Sequence, residues 1–279
     1  MNSILVTGSS GFIGRKVLEK LPKLGVITDY DNSIRIDLQN INEVMKINSA
    51  DIVIHLAGKT PKKELKWNNY FNNNISSTLN ILEYCIIKNV KKLIYVSNYI
   101  YGNPKYSPID EIHPINPHNS YSESKYLGER LCKFYCDKMN INLIILRPFN
   151  IYGESMNKNF LLSNLINSIK TDQKMTIVNK DSRRDFLHVD DFVDLILKIK
   201  DYNCKFEIFN VGTGISFSFN EIIEKIEKIT SKKLNLEYLE DKKIFMDDIK
   251  ADISKIKEKL DWKPRVGIDE GLKRMLKNY

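Results

Sequence analysis

From Ile4 to Leu146 short apolar runs alternate with amphipathic stretches, and that rhythm leaves few folds open. The runs Ile4 to Val6, Val26 to Thr28, Ile34 to Ile36, Asp51 to Leu56, Lys92 to Val96 and Asn142 to Leu146 have the length of strands. Between them, Ile75 to Lys88 and Tyr121 to Lys138 carry apolar residues at helical spacing. Such alternation predicts an α/β protein with a doubly wound parallel sheet, its strands buried on both faces. Past Tyr152-Gly153 the rhythm loosens. Helices are expected at Phe160 to Ile169, Asp190 to Ile199 and Asn220 to Ile229, with a short strand at Met175 to Val178. Two more, Ile253 to Leu260 and Ile268 to Leu276, flank the turn Trp262-Lys263-Pro264. The division expected is a sheet domain over residues 1–152, completed by parts of 185–214, and a smaller C-terminal substrate-binding lobe over 153–279.

The first strand runs into Thr7-Gly8-Ser9-Ser10-Gly11-Phe12-Ile13-Gly14, and a helical pattern, Val17-Leu18 and Leu21, follows. Glycines lack the Cβ that would hold a phosphate off the backbone, and a helix start offers unpaired N–H groups and a positive dipole end. Gly8, Gly11, Phe12, Ile13 and Gly14 are therefore expected to hold a dinucleotide, which makes the sheet Rossmann-like. The spacing G-x-x-G-x-x-G is one residue longer than the commoner fingerprint. Ligands of open parallel sheets bind beyond the carboxyl ends of the strands. Asp29 and Asp31 follow the second strand, where an acid holds the adenosine ribose hydroxyls and repels a 2′-phosphate, which favours NAD. A turn aspartate fits either position equally well. Arg15 and Arg35 lie near enough in sequence to keep NADP open.

The fourth run ends His55-Leu56-Ala57-Gly58, small residues where a backbone passes close to a bound group. His55 itself reads as a packed histidine. The fifth ends Val96-Ser97-Asn98-Tyr99-Ile100-Tyr101-Gly102, so the Ser97 hydroxyl stands at a strand tip, as a donor to a substrate oxygen or as a cap. Tyr121 and Lys125 fall one helical turn apart. On a shared face the ammonium can stabilise the phenolate and lower a pKa that starts near ~10, which makes a general acid/base. Tyr84/Lys88, Tyr101/Lys105 and Tyr238/Lys242 have the same spacing, so position decides between them. Tyr84 lies mid-helix among apolar neighbours, Gly102 and Pro104 break any helix from Tyr101, and Tyr238 sits in a late, charged segment. Tyr121 alone follows the fifth strand and begins the helix that leads to the sixth.

Cys85, Cys132, Cys136 and Cys204 form no C-x-x-C pair and no histidine clusters with them, so reduced thiols and no metal are expected. Cys132 and Cys136, one turn apart, read as a shared packing face. A chain 42% hydrophobic and 28% charged is that of a soluble globular protein. No apolar run approaches the ~20 residues of a membrane helix and the chain opens on a strand, so cytoplasm is expected and no membrane partner. The net charge of +8 comes from lysines spread along the chain rather than from a basic block. Nucleic acid is accordingly not an expected partner. An excess of cations also suits a substrate that carries a pyrophosphate.

Taken in order, these motifs resemble the extended short-chain dehydrogenase/reductases, specifically the NAD-dependent epimerase/dehydratase group that modifies nucleotide sugars. The markers run from Thr7 to Gly14 through Asp37-Leu38, His55 to Gly58, Asn74 in Asn-Ile-Ser-Ser-Thr78, Ser97 with Tyr101-Gly102, and Tyr121/Lys125. They continue with Leu146 to Gly153, Arg184 to Asp191, Asn210 to Gly214 and Leu260 to Pro264. The resemblance implies that Asp37 and Leu38 flank the adenine, that Leu56, Ala57, Gly58 and Asn74 line the cofactor, and that Lys125 also holds the nicotinamide ribose. Asn150 and Arg184 would contact the diphosphate of a nucleotide sugar, in keeping with arginine as a bidentate phosphate partner.

The chemistry implied has Tyr121, as phenolate, take the proton of a sugar hydroxyl while Ser97 steadies the oxygen and hydride leaves for the nicotinamide. Return of the hydride to the other face makes a 4-epimerase, the leading expectation. A ketosugar arriving first makes the enzyme a 4-ketoreductase. A 4,6-dehydratase is disfavoured, since those relatives usually carry Asp-Glu where this chain has Asn98-Tyr99. A non-catalytic nucleotide-binding relative is opposed by Ser97, Tyr121 and Lys125 together. A homodimer through the Tyr121 and Ile75 helices is implied as well. Two departures lie in the substrate lobe: Val178 to Arg183 lacks the family's Gly-Asp-Gly turn, and the chain is shorter than typical sugar 4-epimerases; in addition Lys250 stands near where relatives often have an arginine.

Overall fold

The computed structural model describes residues 2–21, 25–31, 34–61, 67–241 and 248–278, without the side chains of Asp31 and Asn278. The chain begins with β1 (Ile4–Thr7), α1 (Phe12–Lys20), β2 (Val26–Thr28), β3 (Tyr30–Asp31), β4 (Ile34–Arg35) and α2 (Ile41–Val44). There follow β5 (Ile52–His55), α3 (Trp67–Tyr70), a π-helical turn (Phe71–Ile75), α4 (Ser76–Ile87), β6 (Lys92–Val96), α5 (Ser120–Lys138) and β7 (Asn142–Pro148). The remainder is β8 (Asn150–Tyr152), α6 (Leu161–Thr171), β9 (Met175–Val178), β10 (Arg183–His188), α7 (Val189–Asp201), β11 (Phe206–Val211) and β12 (Ser216–Ser218). It closes with α8 (Phe219–Thr230), β13 (Leu236–Leu239), β14 (Asp248–Ile249), α9 (Ser254–Leu260) and α10 (Ile268–Asn278). Two compact units result, one of Met1–Gly102, Ile115–Pro148 and Val193–Phe209, the other of Asn103–Pro114, Phe149–Phe192 and Asn210–Tyr279.

In the first unit six strands form a Rossmann-like sheet in the order β11-β7-β6-β5-β1-β2. β1 pairs in parallel with β2 on one side and β5 on the other, and β6 pairs in parallel with β5 and β7. Strand order therefore reverses about β1, the switch point at which such sheets bind ligands. Every residue of β1, β5 and β6 is buried. Leu5, Val53, Leu93, Tyr95, Leu143 and Ile145, alternate positions along their strands, pack in one core with Ile81, Leu82, Tyr84 and Cys85 of α4 and Cys132 and Cys136 of α5. Each such aliphatic side chain contributes about 1.5–3 kcal/mol of burial. None of the four cysteines is in a disulfide, and three of them are buried.

Two expectations about strands need correction. Ile34 to Ile36 is not a strand of the parallel sheet: β4 pairs antiparallel with β3 in a two-stranded sheet of its own, and Ile34 is 74% exposed. The sheet takes its sixth strand from β11 instead, which periodicity missed because Glu207 and Asn210 interrupt the apolar run.

The second unit is built around β10, which pairs in parallel with β8 and β14 and antiparallel with β12. A parallel pair, β9 with β13, stands apart. Asp185 in β10, fully buried, accepts from Thr213 N and Oγ1, Gly214 N and Ala251 N, so one carboxylate gathers three segments. Among the described residues no helix is long and apolar enough to cross a membrane.

Candidate active site

The glycine turn of the first unit is shaped by contacts that a Cβ would destroy. Gly8 has φ +69°, and a Cβ there would lie 2.7 Å from Ala57 N. A Cβ on Gly14 would overlap the Gly8 carbonyl. Gly11 N donates to Gly8 O (2.9 Å) and Gly11 caps α1 with no side-chain hydrogen bond, while Phe12 and Ile13 begin the helix. No acidic residue occupies the first turn of α1, so its N–H groups and positive dipole end are uncompensated. This cradle fits the phosphates of a dinucleotide.

Asp29 holds the cradle in place. Fully buried, it accepts from Gly8 N (2.9 Å), Ser9 N (3.1 Å) and Ser9 Oγ. The sequence offered Asp29 and Asp31 equally to the ribose. The structure turns the Asp29 carboxylate onto the loop amides, and the Asp31 side chain lies outside the described residues. Asp37 is exposed and accepts from Gln39 N (3.0 Å), while Leu38 is packed in the core of the first unit.

At the tip of β5, Leu56 is half-buried, Ala57 buried and Gly58 exposed. A Cβ on Gly58 would lie 3.9 Å from Lys125 Nζ, so strand tip and helix meet there. Asn74, expected to line the cofactor, makes two hydrogen bonds to the protein through its amide. Oδ1 accepts from Lys59 N (2.7 Å) and Nδ2 donates to Ser124 Oγ (2.9 Å). His55 is fully buried between Thr7 Oγ1 (2.7 Å) and Thr78 Oγ1 (3.2 Å), and burial, with the nearby Lys125 charge, lowers its pKa to about 3. It is a neutral, packed histidine.

Ser97, directly after β6, is 3% exposed, and its hydroxyl has no hydrogen-bond partner among the described residues. Its neighbour Asn98 donates to Ser122 Oγ (3.4 Å), which ties the strand tip to the first turn of α5. That turn is capped by Asn119, whose Oδ1 accepts from Ser122 N (2.8 Å). Tyr121 packs edge-on to Tyr70 with ring centroids 6.1 Å apart, and the Lys125 ammonium lies 4.3 Å over the Tyr95 ring. The expectation that Lys125 lowers the Tyr121 pKa is corrected here. Burial, then the neighbouring Tyr70, pushes Tyr121 up to about 12, and burial pulls Lys125 down to about 8. Desolvation penalises both charged forms, and neither shift carries a contribution from the other residue.

Beneath this turn Arg147 and Glu129 form a buried ion pair (2.7 Å), and Arg147 Nη1 donates to Tyr101 Oη (2.9 Å). The Tyr101 phenol is thus structural. Among the described residues no group of three or more His, Cys, Asp or Glu could hold a metal.

In the second unit Asn150 Nδ2 donates to Asp185 O (3.0 Å), which joins β8 to β10. The Arg184 guanidinium lies 5.7 Å over the Phe219 ring, and its Nη1 donates to Arg183 O (2.8 Å). Lys250 pairs with Asp248 (2.8 Å). Sequence reasoning missed the loop-holding role of Asp29, the clasp made by Asn74 and the Tyr70 contact. Only for Asp29 was there a signal, an acid directly after a strand.

The NAD dependent epimerase/dehydratase family matches residues 4–212 of this chain. A putative UDP-glucose 4-epimerase of Methanocaldococcus jannaschii is 32% identical, over 98% of this chain and 97% of that one. A dTDP-4-dehydro-6-deoxyglucose reductase of Escherichia coli is 26% identical, over 99% and 97%. Among solved structures, a UDP-glucuronic acid 4-epimerase from Bacillus cereus in complex with UDP-glucuronic acid and NAD superposes with a TM-score of 0.87 at 25% identity, covering 99% of this chain and 98% of that one.

Proposed function

The chain belongs to the NAD-dependent epimerase/dehydratase family, and from that premise we propose that it is a 4-epimerase acting on a nucleoside-diphosphate hexose with NAD. The observation that carries the reading is the Ser97 hydroxyl, buried at a strand tip without a partner among the described residues. An unsatisfied buried hydroxyl costs about 1–3 kcal/mol, a cost that a substrate oxygen hydrogen-bonded there would remove.

When bound, the nicotinamide supplies the hydride acceptor. Gly8, Gly11 and the N–H groups that open α1 would hold its phosphates, and Lys125 the ribose beside it. Tyr121 would take the C4 hydroxyl proton as that carbon is oxidised and return it when the ketone is reduced on its other face, with Ser97 donating to the same oxygen. A phenol raised to about 12 keeps its proton at neutral pH. Stabilising the phenolate is the role we assign to the Lys125 ammonium, one helical turn along α5. Asn150 and Arg184 are the groups we assign to the diphosphate. α4 and α5 are the surfaces we assign to a homodimer.

The second reading is a 4-ketoreductase, favoured by the reductase among the relatives. Both use the same three side chains, so cofactor behaviour separates them. The purified protein is denatured, the released nucleotide identified by mass spectrometry, and turnover assayed on UDP-, dTDP- and GDP-hexoses. An epimerase retains NAD and interconverts C4 epimers with no added reductant; stoichiometric consumption of NAD(P)H on 4-keto sugars would make it the reductase. Unchanged turnover in Tyr121→Phe would remove the catalytic assignment altogether.

A further inference from the structure

A line of buried hydrogen bonds crosses the first unit from the strand tip beside the glycine turn to the helix that carries Tyr121. Ala57 N donates to Thr7 Oγ1 (3.3 Å), which meets His55 Nδ1 (2.7 Å). His55 Nε2 meets Thr78 Oγ1 (3.2 Å), and Thr78 Oγ1 donates to Asn74 O (2.6 Å). Asn74 Nδ2 donates to Ser124 Oγ (2.9 Å), and Ser124 Oγ donates to Tyr121 O (2.8 Å). Thr7, His55, Asn74, Thr78 and Ser124 are all buried.

The direction of every bond follows from the groups that can only give or only receive. Thr78 spends its single proton on a carbonyl, so at His55 it accepts, and Nε2 carries the hydrogen. Nδ1 is then the acceptor, and Thr7 donates to it while receiving from Ala57 N–H. The Asn74 amide is oriented by Lys59 N, which donates to Oδ1 (2.7 Å) and leaves Nδ2 for Ser124. One tautomer of His55 satisfies the whole line, and the other leaves the Nε2 lone pair facing the Thr78 oxygen, acceptor against acceptor. The ring is flanked by Tyr95, with centroids 5.7 Å apart, and its charged neighbour is Lys125, which disfavours a second proton.

The π-helical turn completes the device. Its wider turn stands where a regular helix would continue from α3 into α4, and it presents Asn74 inward between Lys59 and Ser124. We propose that His55, Thr78, Asn74 and Ser124 are positioning residues, a one-way hydrogen-bond relay that fixes the first turn of α5, and so the Tyr121 phenol, against the strand tip at Ala57. The inference rests on Tyr121 being the acid/base of the proposed reaction. It assigns no proton transfer to the relay.

Thr78→Val keeps the shape and removes the hydroxyl, and Thr78→Ser restores it. The ¹⁵N spectrum of labelled wild type should show His55 as the Nε2–H tautomer with no titration between about pH 5 and 9, against an ordinary histidine value near ~6.5. An Nδ1–H tautomer, or titration in that range, overturns the relay. Thr78→Val should move the ¹³C resonance of the labelled Tyr121 ring and lower kcat roughly 10- to 100-fold with little change in KM, as displacement of a reacting group does. Thr78→Ser should return both. An unmoved ring resonance, or an unchanged kcat, overturns the positioning role. If Thr78→Val does not fold, Ser124→Ala cuts the last link at the other end and is read the same way. Wild type inactive on every sugar nucleotide would count against the proposed function alone, since the two spectra still decide the relay.

Discussion

At Tyr121 and Lys125 burial sets the charge before any partner does. Folded Lys125 loses its proton near 8 and an unfolded lysine near 10.5, so between those values the unfolded chain binds more protons and stability rises with pH. Below pH 8 the full penalty of burying the ammonium applies. Lys125→Met should therefore abolish turnover yet stabilise the fold at pH 7 by on the order of 3 kcal/mol, with the rise between pH 8 and 10.5 flattened in urea titrations. Equal or lower stability at pH 7 would contradict it. Tyr121 has the opposite sign: the folded chain keeps that proton up to about 12, so stability falls as pH climbs from 10 to 12. His55, held near 3 against 6.5, adds a third window, in which stability is lost as pH falls from 6.5 to 3. Acid unfolding of a His55→Asn variant should be correspondingly less steep. Ser97, Tyr121 and Lys125 were legible as residues because each follows a strand end or starts a helix. The direction of their pKa values was not, because it depends on burial, which spacing does not encode.

At the scale of the element, the glycine turn is a backbone device with one side-chain clamp. Gly14→Ala would drive a Cβ into the Gly8 carbonyl and within 2.7 Å of Ser9 Cα, both of them backbone. The turn has to open, at about 1–3 kcal/mol for an overpacked site, and the nucleotide recovered from the purified protein should fall to background. Asp29→Asn tests the clamp. One of the two acceptor oxygens becomes an NH₂ facing N–H donors, a loss of about 1–3 kcal/mol concentrated at the loop. It should weaken cofactor retention and lower Tm while leaving the far-ultraviolet circular dichroism unchanged. Retention at the wild-type level would show that the carboxylate does not set the turn. Glycine spacing announced this element in the sequence, because φ +69° and a Cβ-free approach restrict the residue type. The π-helical turn had no such mark, since Ile75 to Lys88 is periodic as an ordinary helix and the widened turn before it changes no residue type. The pairing of β4 with β3 was hidden for a similar reason: Ile34 and Ile36 are as apolar as a strand, and only the missing partner in the parallel sheet shows otherwise.

For the whole molecule, every group in the proposed chemistry that handles a proton, together with the relay behind it, belongs to the first unit of a single chain. The second unit holds Asn150 and Arg184 on a separate framework gathered by Asp185. Which unit a segment joins was not legible locally, because long-range contacts decide it: the chain leaves the first unit after Gly102, returns at Ile115 and leaves again after Pro148. The first unit also exposes apolar side chains along α4 and at the end of α5, namely Leu79 (36%), Ile87 (55%), Phe134 (59%) and Met139 (49%). Covering them against a second copy removes apolar surface from water at about 25 cal/mol per Å². Light scattering should then give twice the 32.5 kDa chain mass, and Phe134→Glu should halve it by placing a charge in the covered face. Turnover per chain should survive the split, because Ser97, Tyr121 and Lys125 all come from one copy. The monomer should lose thermal stability and the concentration dependence of its Tm. A wild-type mass of one chain at micromolar concentration would remove the dimer. Loss of turnover on dissociation, with the nucleotide still retained, would instead mean that the second copy holds the first turn of α5 in place alongside Asn74 and Ser124.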